Sequence, residues 1–159
     1  MKMSESTLVR MKKTMEEKGA SFEVLEHDPV FTSAQAARSR KGALHSGVKA
    51  LVLKNENGVF VVALVAADKK VDLKKLAKTV GFKELNLAPK EEVLKATDCE
   101  VGSVPPFGFP KPLATYVDQS VFDNEVNEFN AGLHTVSIRL PAKELRKVLV
   151  QKLLDFSMA

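Results

Sequence analysis

The apolar positions of this 159-residue chain change their spacing several times, and each change marks an element. Leu8, Met11 and Met15 recur at helical spacing between Ser6 and Lys18, and Gly19 stands where a left-handed closing residue belongs. An amphipathic helix is predicted there, within an N-terminal segment over 1–20. Phe22 to Glu26 alternates with a period of two and predicts a short strand, broken by His27-Asp28-Pro29. Ser33 can cap a short helix running to about Arg38. Arg38 to Lys41 is a basic cluster, and Gly42 to Gly47 reads as a loop. Val48 to Lys54 predicts a strand and Asn55-Glu56-Asn57-Gly58 a hairpin turn. Val59 to Ala66 predicts a second strand, and its nearly unbroken apolar run predicts burial on both faces.

Asp72 begins a helix over Leu73 to Val80 that Gly81 stops, and Glu84 to Leu87 predicts a short strand. Pro89 falls in the first turn of a helix reaching about Thr97. Ala114 to Val117, Val126 to Asn130 and His134 to Leu140 predict three further strands, with Ala131-Gly132 interrupting the last two. Pro141 opens a C-terminal helix over 141–155, with Leu145, Val148, Leu149 and Leu153 on its apolar face. Strands and helices in this order predict an α/β fold: a single domain over 1–159, with a mixed, mostly antiparallel central sheet and helices packed around it.

Composition narrows the function classes. Hydrophobic residues are 45% and charged residues 28%, an ordinary balance for a globular domain. The net charge of +4 permits an anionic partner such as RNA without requiring one. A single cysteine, Cys99, excludes an internal disulfide and fits a reducing compartment. No apolar run has the length of a membrane span, and the N-terminal residues carry no signal-peptide core. A cytoplasmic protein without a membrane partner is expected.

The chemistry concentrates in Val101-Gly102-Ser103-Val104-Pro105-Pro106-Phe107-Gly108-Phe109. Gly permits positive φ, and Pro fixes φ while removing a donor, so the segment is neither a helix interior nor a central strand. It predicts a rigid loop with accessible backbone, suited to an oxyanion or phosphate, although a plain tight turn has the same composition. The histidines His27, His45 and His134 are far apart, and no paired Cys or His supports a metal site. Neither a phosphate-binding Walker loop nor a Gly-x-Ser-x-Gly elbow is present. Lys54 ends an apolar strand, either as a solvated terminus or as an ammonium at the mouth of a cleft. Asn55 is a turn residue or a ligand contact. Asn130-Ala131-Gly132 is a hairpin turn, a bulge, or a second patch of accessible backbone. His134 beside it is structural or lines a cleft.

Taken in order, these patches resemble the YbaK/ProX editing family, the free-standing relatives of the insertion domain of bacterial prolyl-tRNA synthetases. The resemblance covers about Phe22 to Leu149. It is carried by Lys54 after Leu51-Val52-Leu53, by Val59–Ala66 followed by Lys70-Val71-Asp72-Leu73-Lys74-Lys75-Leu76-Ala77, by Gly102 to Gly108, and by Asn130-Ala131-Gly132. It implies a YbaK-like fold and a trans-editing deacylase that hydrolyses the ester of mischarged tRNA, alanine or cysteine on the proline tRNA, with prolyl-tRNA synthetase as a possible partner. It also implies no cofactor and no metal: water attacks the ester carbonyl, assisted by a hydroxyl of the terminal ribose. On this resemblance Lys54 holds the 3′-terminal phosphate or ribose. Backbone N–H groups around Gly102, Ser103 and Gly132 hold the carbonyl. Asn55, Val104, Pro105, Phe107, Gly108, Asn130, Ala131 and His134 form the amino-acid pocket.

The chain departs from the family's alanine-specific members, which carry Thr-Pro-Phe-Gly followed by Asn-Asp, where Val104-Pro105-Pro106-Phe107-Gly108 is followed here by Phe109-Pro110-Lys111. It departs from the cysteine-specific branch, which has Gly-Gly at Ala131-Gly132. The amino acid removed therefore stays open. Other readings are a non-catalytic module docking on tRNA or a synthetase through Arg38-Ser39-Arg40-Lys41, an editing domain excised from a larger prolyl-tRNA synthetase, and an enzyme acting on a different small ester or amide.

Overall fold

The unbroken apolar run at Val61–Ala66 is explained by the sheet around it. The computed structural model describes residues 3–40 and 44–159, with the side chains of residues 3–5, 33, 39 and 40 left out. Lys41 of the basic cluster, Gly42 and Ala43 of the following loop and the first two residues of the N-terminal segment lie outside the described residues. In chain order the elements are α1 (Met3–Glu17), β1 (Glu23–Glu26), α2 (Ser33–Arg40), β2 (Val48–Asn55), β3 (Phe60–Ala66), β4 (Lys70–Val71), α3 (Leu73–Val80), β5 (Leu85–Leu87), α4 (Lys90–Thr97), β6 (Ala114–Asp118), β7 (Val126–Leu133), β8 (Val136–Pro141), α5 (Ala142–Val148), β9 (Leu153–Leu154) and β10 (Ser157–Met158).

A five-stranded sheet has the order β5-β2-β3-β6-β9, and β3 lies at its centre. β2 runs antiparallel to β3 and β5, whereas β6 runs parallel to β3 and β9. A second, antiparallel sheet has the order β1-β8-β7, and β4 pairs with β10. The architecture is thus mixed, mostly antiparallel α/β, as the alternation of elements predicts, with the strands divided among three sheets. Successive residues of β3 serve two different cores. Val62 and Leu64 pack with Met11, Met15, Phe129, Ile138 and Leu145. Val61, Ala63 and Val65 pack with Leu76, Leu85 and Phe156. A strand covered on both faces has no solvent side on which to place polar residues.

Local chemistry closes several elements as predicted. Asp72 caps α3 by accepting from the Lys75 N–H at 3.1 Å, and Gly81 ends it with φ +86°. Asn55 organises the hairpin, its Oδ1 accepting from the N–H groups of Asn57 and Val59, both at 2.9 Å.

Four details differ from the sequence reading. The cap of α2 is Thr32 rather than Ser33: Thr32 Oγ1 accepts from the Gln35 N–H, and Gln35 Oε1 accepts from the Phe31 and Thr32 N–H groups. Pro89 stands just before α4, as its cap residue. Ala131-Gly132 does not separate two strands. Both belong to β7, which slips register against β8 between Asn130 and Leu133, with Gly132 at φ +87° inside the bulge. Finally, the C-terminal helix stops at Val148 rather than running to 155. Arg146 Nη1 donates to the carbonyls of Leu149 and Gln151, and Leu153-Leu154 pairs with β6. Asp118, fully buried, anchors the C-terminal residues by accepting from the N–H groups of Phe156 at 2.7 Å and Ser157 at 3.0 Å. Burial pushes the Asp118 carboxyl up, but its bonds to Ser120, Phe156 and Ser157 prevail and hold it below the usual carboxylate range.

Candidate functional site

The site lies where β2, paired with β3 on one side, has no strand on its other edge. β5 pairs only with Leu53–Asn55, and the Ala88 N–H reaches the Val52 carbonyl at 3.0 Å. The first half of β2 therefore presents an open edge to a cavity of about 310 Å³, enclosed by α2, the start of α4 and the loop after α4. The cavity is lined by small and branched apolar groups: Val30, Ala36, Val52, Val93 and Val104 are all buried. Its polar lining residues are Lys49, Thr32 and Asn130, with the backbone of Gly102. Among the described residues, no carboxylate, imidazole or thiol lines it.

Lys49 is the cation that the structure brings here and that spacing alone does not reveal. It stands inside an apolar strand, and half-burial pushes its ammonium below the ordinary lysine range. Asp68 opposes that shift and Lys70 adds to it. Its Nζ donates to the Lys69 carbonyl. The sequence signal was a lone charge in Val48-Lys49-Ala50-Leu51, within a segment otherwise committed to the core.

Lys54, five residues on, is not among the residues lining the cavity. Its ammonium lies 2.6 Å from Glu92 Oε1 and 5.8 Å from the Phe60 ring centroid, so it already has a counter-ion. Asn55 is likewise elsewhere, committed to its hairpin.

The glycine-proline loop divides. Gly102 and Val104 line the cavity; Gly102 has φ +91°, and among the described residues no acceptor meets its N–H. Ser103 is buried and locked: its N–H and hydroxyl both donate to the Glu100 carbonyl, and its own carbonyl accepts from the Gly132 N–H at 3.1 Å. The N–H groups of Ser103 and Gly132 are thus occupied within the protein. The second half of the loop turns away from the cavity. Pro105 is buried, Phe107 meets Phe129 edge to face at 5.8 Å, and the Gly108 carbonyl accepts from Arg10 Nε at 2.7 Å. Ala131 is a core residue. Asn130 lines the cavity and donates from Nδ2 to the Gly102 carbonyl, which ties the bulge to the loop.

His134 stands behind Gly102 at the cavity mouth. Its Nδ1 meets the Val30 carbonyl at 2.9 Å and its Nε2 meets Glu100 Oε2 at 3.1 Å. Both partners only accept, so both contacts are hydrogen bonds together only when the ring carries two protons. Its ring packs on Phe31, with centroids 4.5 Å apart and planes tilted by 34°. Sequence reasoning missed Phe31, whose signal was an exposed aromatic directly before a capping box.

Lys49 and Gly102 thus border a small, mostly apolar cavity, and no metal-binding cluster is found among the described residues. The chain belongs to the aminoacyl-tRNA editing domain family, whose model matches residues 27–148. It is 34% identical over 146 residues to the multifunctional Ser/Thr-tRNA deacylase ProXp-y of Escherichia coli K12, covering 89% of this chain and 87% of that protein. It is 26% identical over 139 residues to the prolyl-tRNA editing protein ProX of Acetoanaerobium sticklandii, covering 84% and 85%. A crystal structure described as a candidate trans-editing enzyme for prolyl tRNA synthetase superposes with a TM-score of 0.84 at 27% identity, covering 96% of this chain and 98% of that one. No described helix is long and apolar enough to cross a membrane.

Proposed function

We propose that this chain hydrolyses the ester of a tRNA carrying a small, wrong amino acid, alanine or cysteine on the proline tRNA in the first instance. The observation that carries this reading is the cavity: a wall of valines and alanines that accepts a small side chain, beside Lys49 and the open Gly102 N–H. A synthetase pocket rejects an amino acid one methylene smaller by only ~1–3 kcal/mol, so a second, size-limited site removes what the first admits. Prolyl-tRNA synthetase is the proposed source of the error. Serine and threonine form the second reading, favoured by Thr32 and Asn130 in the lining and by the Escherichia coli relative.

Water adds to the ester carbonyl carbon, the C–O bond to the ribose breaks, and the ribose oxygen takes a proton. The products are the free amino acid and the uncharged tRNA. The negative charge that builds on the carbonyl oxygen is met by the Gly102 N–H and the Lys49 ammonium. Because no carboxylate or imidazole lines the cavity among the described residues, a hydroxyl of the terminal ribose is the proposed partner of the attacking water.

The test is deacylation of proline tRNA charged with alanine, cysteine, serine, threonine or proline, with chelator present. Release of one or more small non-cognate residues, with prolyl-tRNA spared, supports the reading. Binding without release from any of them replaces it with a silent tRNA-docking module. Release that persists on simple amino-acid esters, with no loss of affinity as salt rises, points to a substrate without phosphates.

A further inference from the structure

The geometry points to Phe31, packed on His134, as the platform for the terminal base of the nucleic acid whose ester enters the cavity; this rests on the editing function proposed above. Four large apolar side chains stand exposed around the cavity mouth: Phe31 at 65%, Leu87 at 61%, Val101 at 56% and Leu44 at 37%. The cavity of about 310 Å³ has room for an aminoacyl group and part of a ribose, so a purine attached to that ribose must lie at the rim. A purine offers a broad π-face and needs a flat, rigid partner.

Phe31 is the aromatic side chain among those four; its backbone is tied to the cap of α2 and its ring packs on His134. Its N–H donates to Gln35 Oε1 in the cap of α2. One ring face packs on His134, which is itself fixed by the Val30 carbonyl and Glu100. The exposed ring surface is thus presented on a support that need not reorganise when a base arrives. The cavity wall begins beside it: a Cβ on Gly102 would lie 3.5 Å from the Phe31 carbonyl and 3.6 Å from His134 Cε1. Base, ribose and acyl group can therefore occupy adjoining positions.

The test is titration of the intact protein with the trinucleotide CCA, and with the same oligomer lacking its last base, followed by NMR. The proposal expects shifts at Phe31 and His134, affinity about tenfold lower in Phe31→Ala, and recovery in Phe31→Tyr. It expects the oligomer without the base to bind the wild type and Phe31→Ala equally. Phe31→Leu tells stacking from mere apolar contact and should behave like the alanine variant. Equal CCA affinity in the wild type and Phe31→Ala, an undiminished effect of Phe31→Ala on the baseless oligomer, or no CCA binding at millimolar concentration overturns the platform. A wild type that binds CCA through Phe31 but releases no amino acid from any charged tRNA leaves the platform standing and removes the editing reading.

Discussion

Two lysines on one strand, five residues apart, meet opposite fates. Lys49 lies on the half of β2 that β5 leaves uncovered, beside a cavity, with its ammonium pushed down by partial burial. Lys54 lies on the half that β5 covers, and its charge is neutralised by Glu92 at 2.6 Å. Along the sequence Lys54 is the more suggestive of the two, because it ends a strand before a turn. What separates them is the three-residue length of β5, which stops short and leaves the Lys49 end open. An available cation, rather than a conspicuous one, is what an anionic or developing oxyanionic group can use. Glu92 would have to be displaced before Lys54 could serve.

The largest effect is expected from the lysines themselves. Lys49→Ala should lower kcat/KM for deacylation about a hundredfold, the usual scale for losing one group that stabilises a developing oxyanion, while Lys54→Ala stays within about threefold. Steady-state rates on charged tRNA decide it, and the reverse order would return the phosphate contact to Lys54.

The same division runs through the glycines of one loop. Gly108 has φ +89°, and a Cβ there would stand 2.7 Å from Met11 Cγ in α1. Gly108→Ala should therefore cost about 2 kcal/mol, a fall of roughly 6 °C in Tm, with the rate per folded molecule preserved. Gly102→Ala meets only ordinary contacts and strain from φ +91°, so about 1 kcal/mol is expected, with the main loss, about tenfold, in deacylation. Thermal melts and rates measured together separate the two. Equal profiles for both variants would mean that the loop acts as one piece.

The smallest effect concerns pH. A lysine held below its ordinary range is charged below its own pKa and loses its charge as pH rises through it, so deacylation should decline on the alkaline side before ordinary lysines titrate. Lys49→Arg keeps its charge throughout. Its rate, after subtraction of uncatalysed ester hydrolysis, should plateau lower and decline later. Superimposable profiles would remove Lys49 as the titrating cation.

Much of the fold was legible because its signals are local. Asp72 and Gly81 bound α3 through bonds within one helical turn, and Asn55 shapes a hairpin within four residues. The α2 cap falls one residue before the expected Ser33 because Gln35 pairs with Thr32 in a reciprocal box, and residue type alone does not separate two adjacent hydroxyls. The end of α5 was not legible. Leu149 and Leu153 keep helical spacing, yet pairing with β6 and the Asp118 carboxylate take the chain beyond Val148 into strands. Of the residues put forward from the sequence, Gly102, Val104 and Asn130 line the cavity and His134 stands behind Gly102, whereas the Ser103 N–H donates to the Glu100 carbonyl and the Gly132 N–H to the Ser103 carbonyl.

Sequence by itself determined the succession of elements, the doubly buried β3, the rigid glycine-proline loop and membership of an editing family, because period, turn chemistry and residue order act over short stretches of chain. Tertiary structure alone decided which lysine borders the cavity, which half of the loop faces it, and that Phe31 lies on a histidine more than half the chain away. Those outcomes depend on where β5 ends, on what α1 covers and on which N–H groups find partners far along the chain. None of these is set by the residues beside the group concerned.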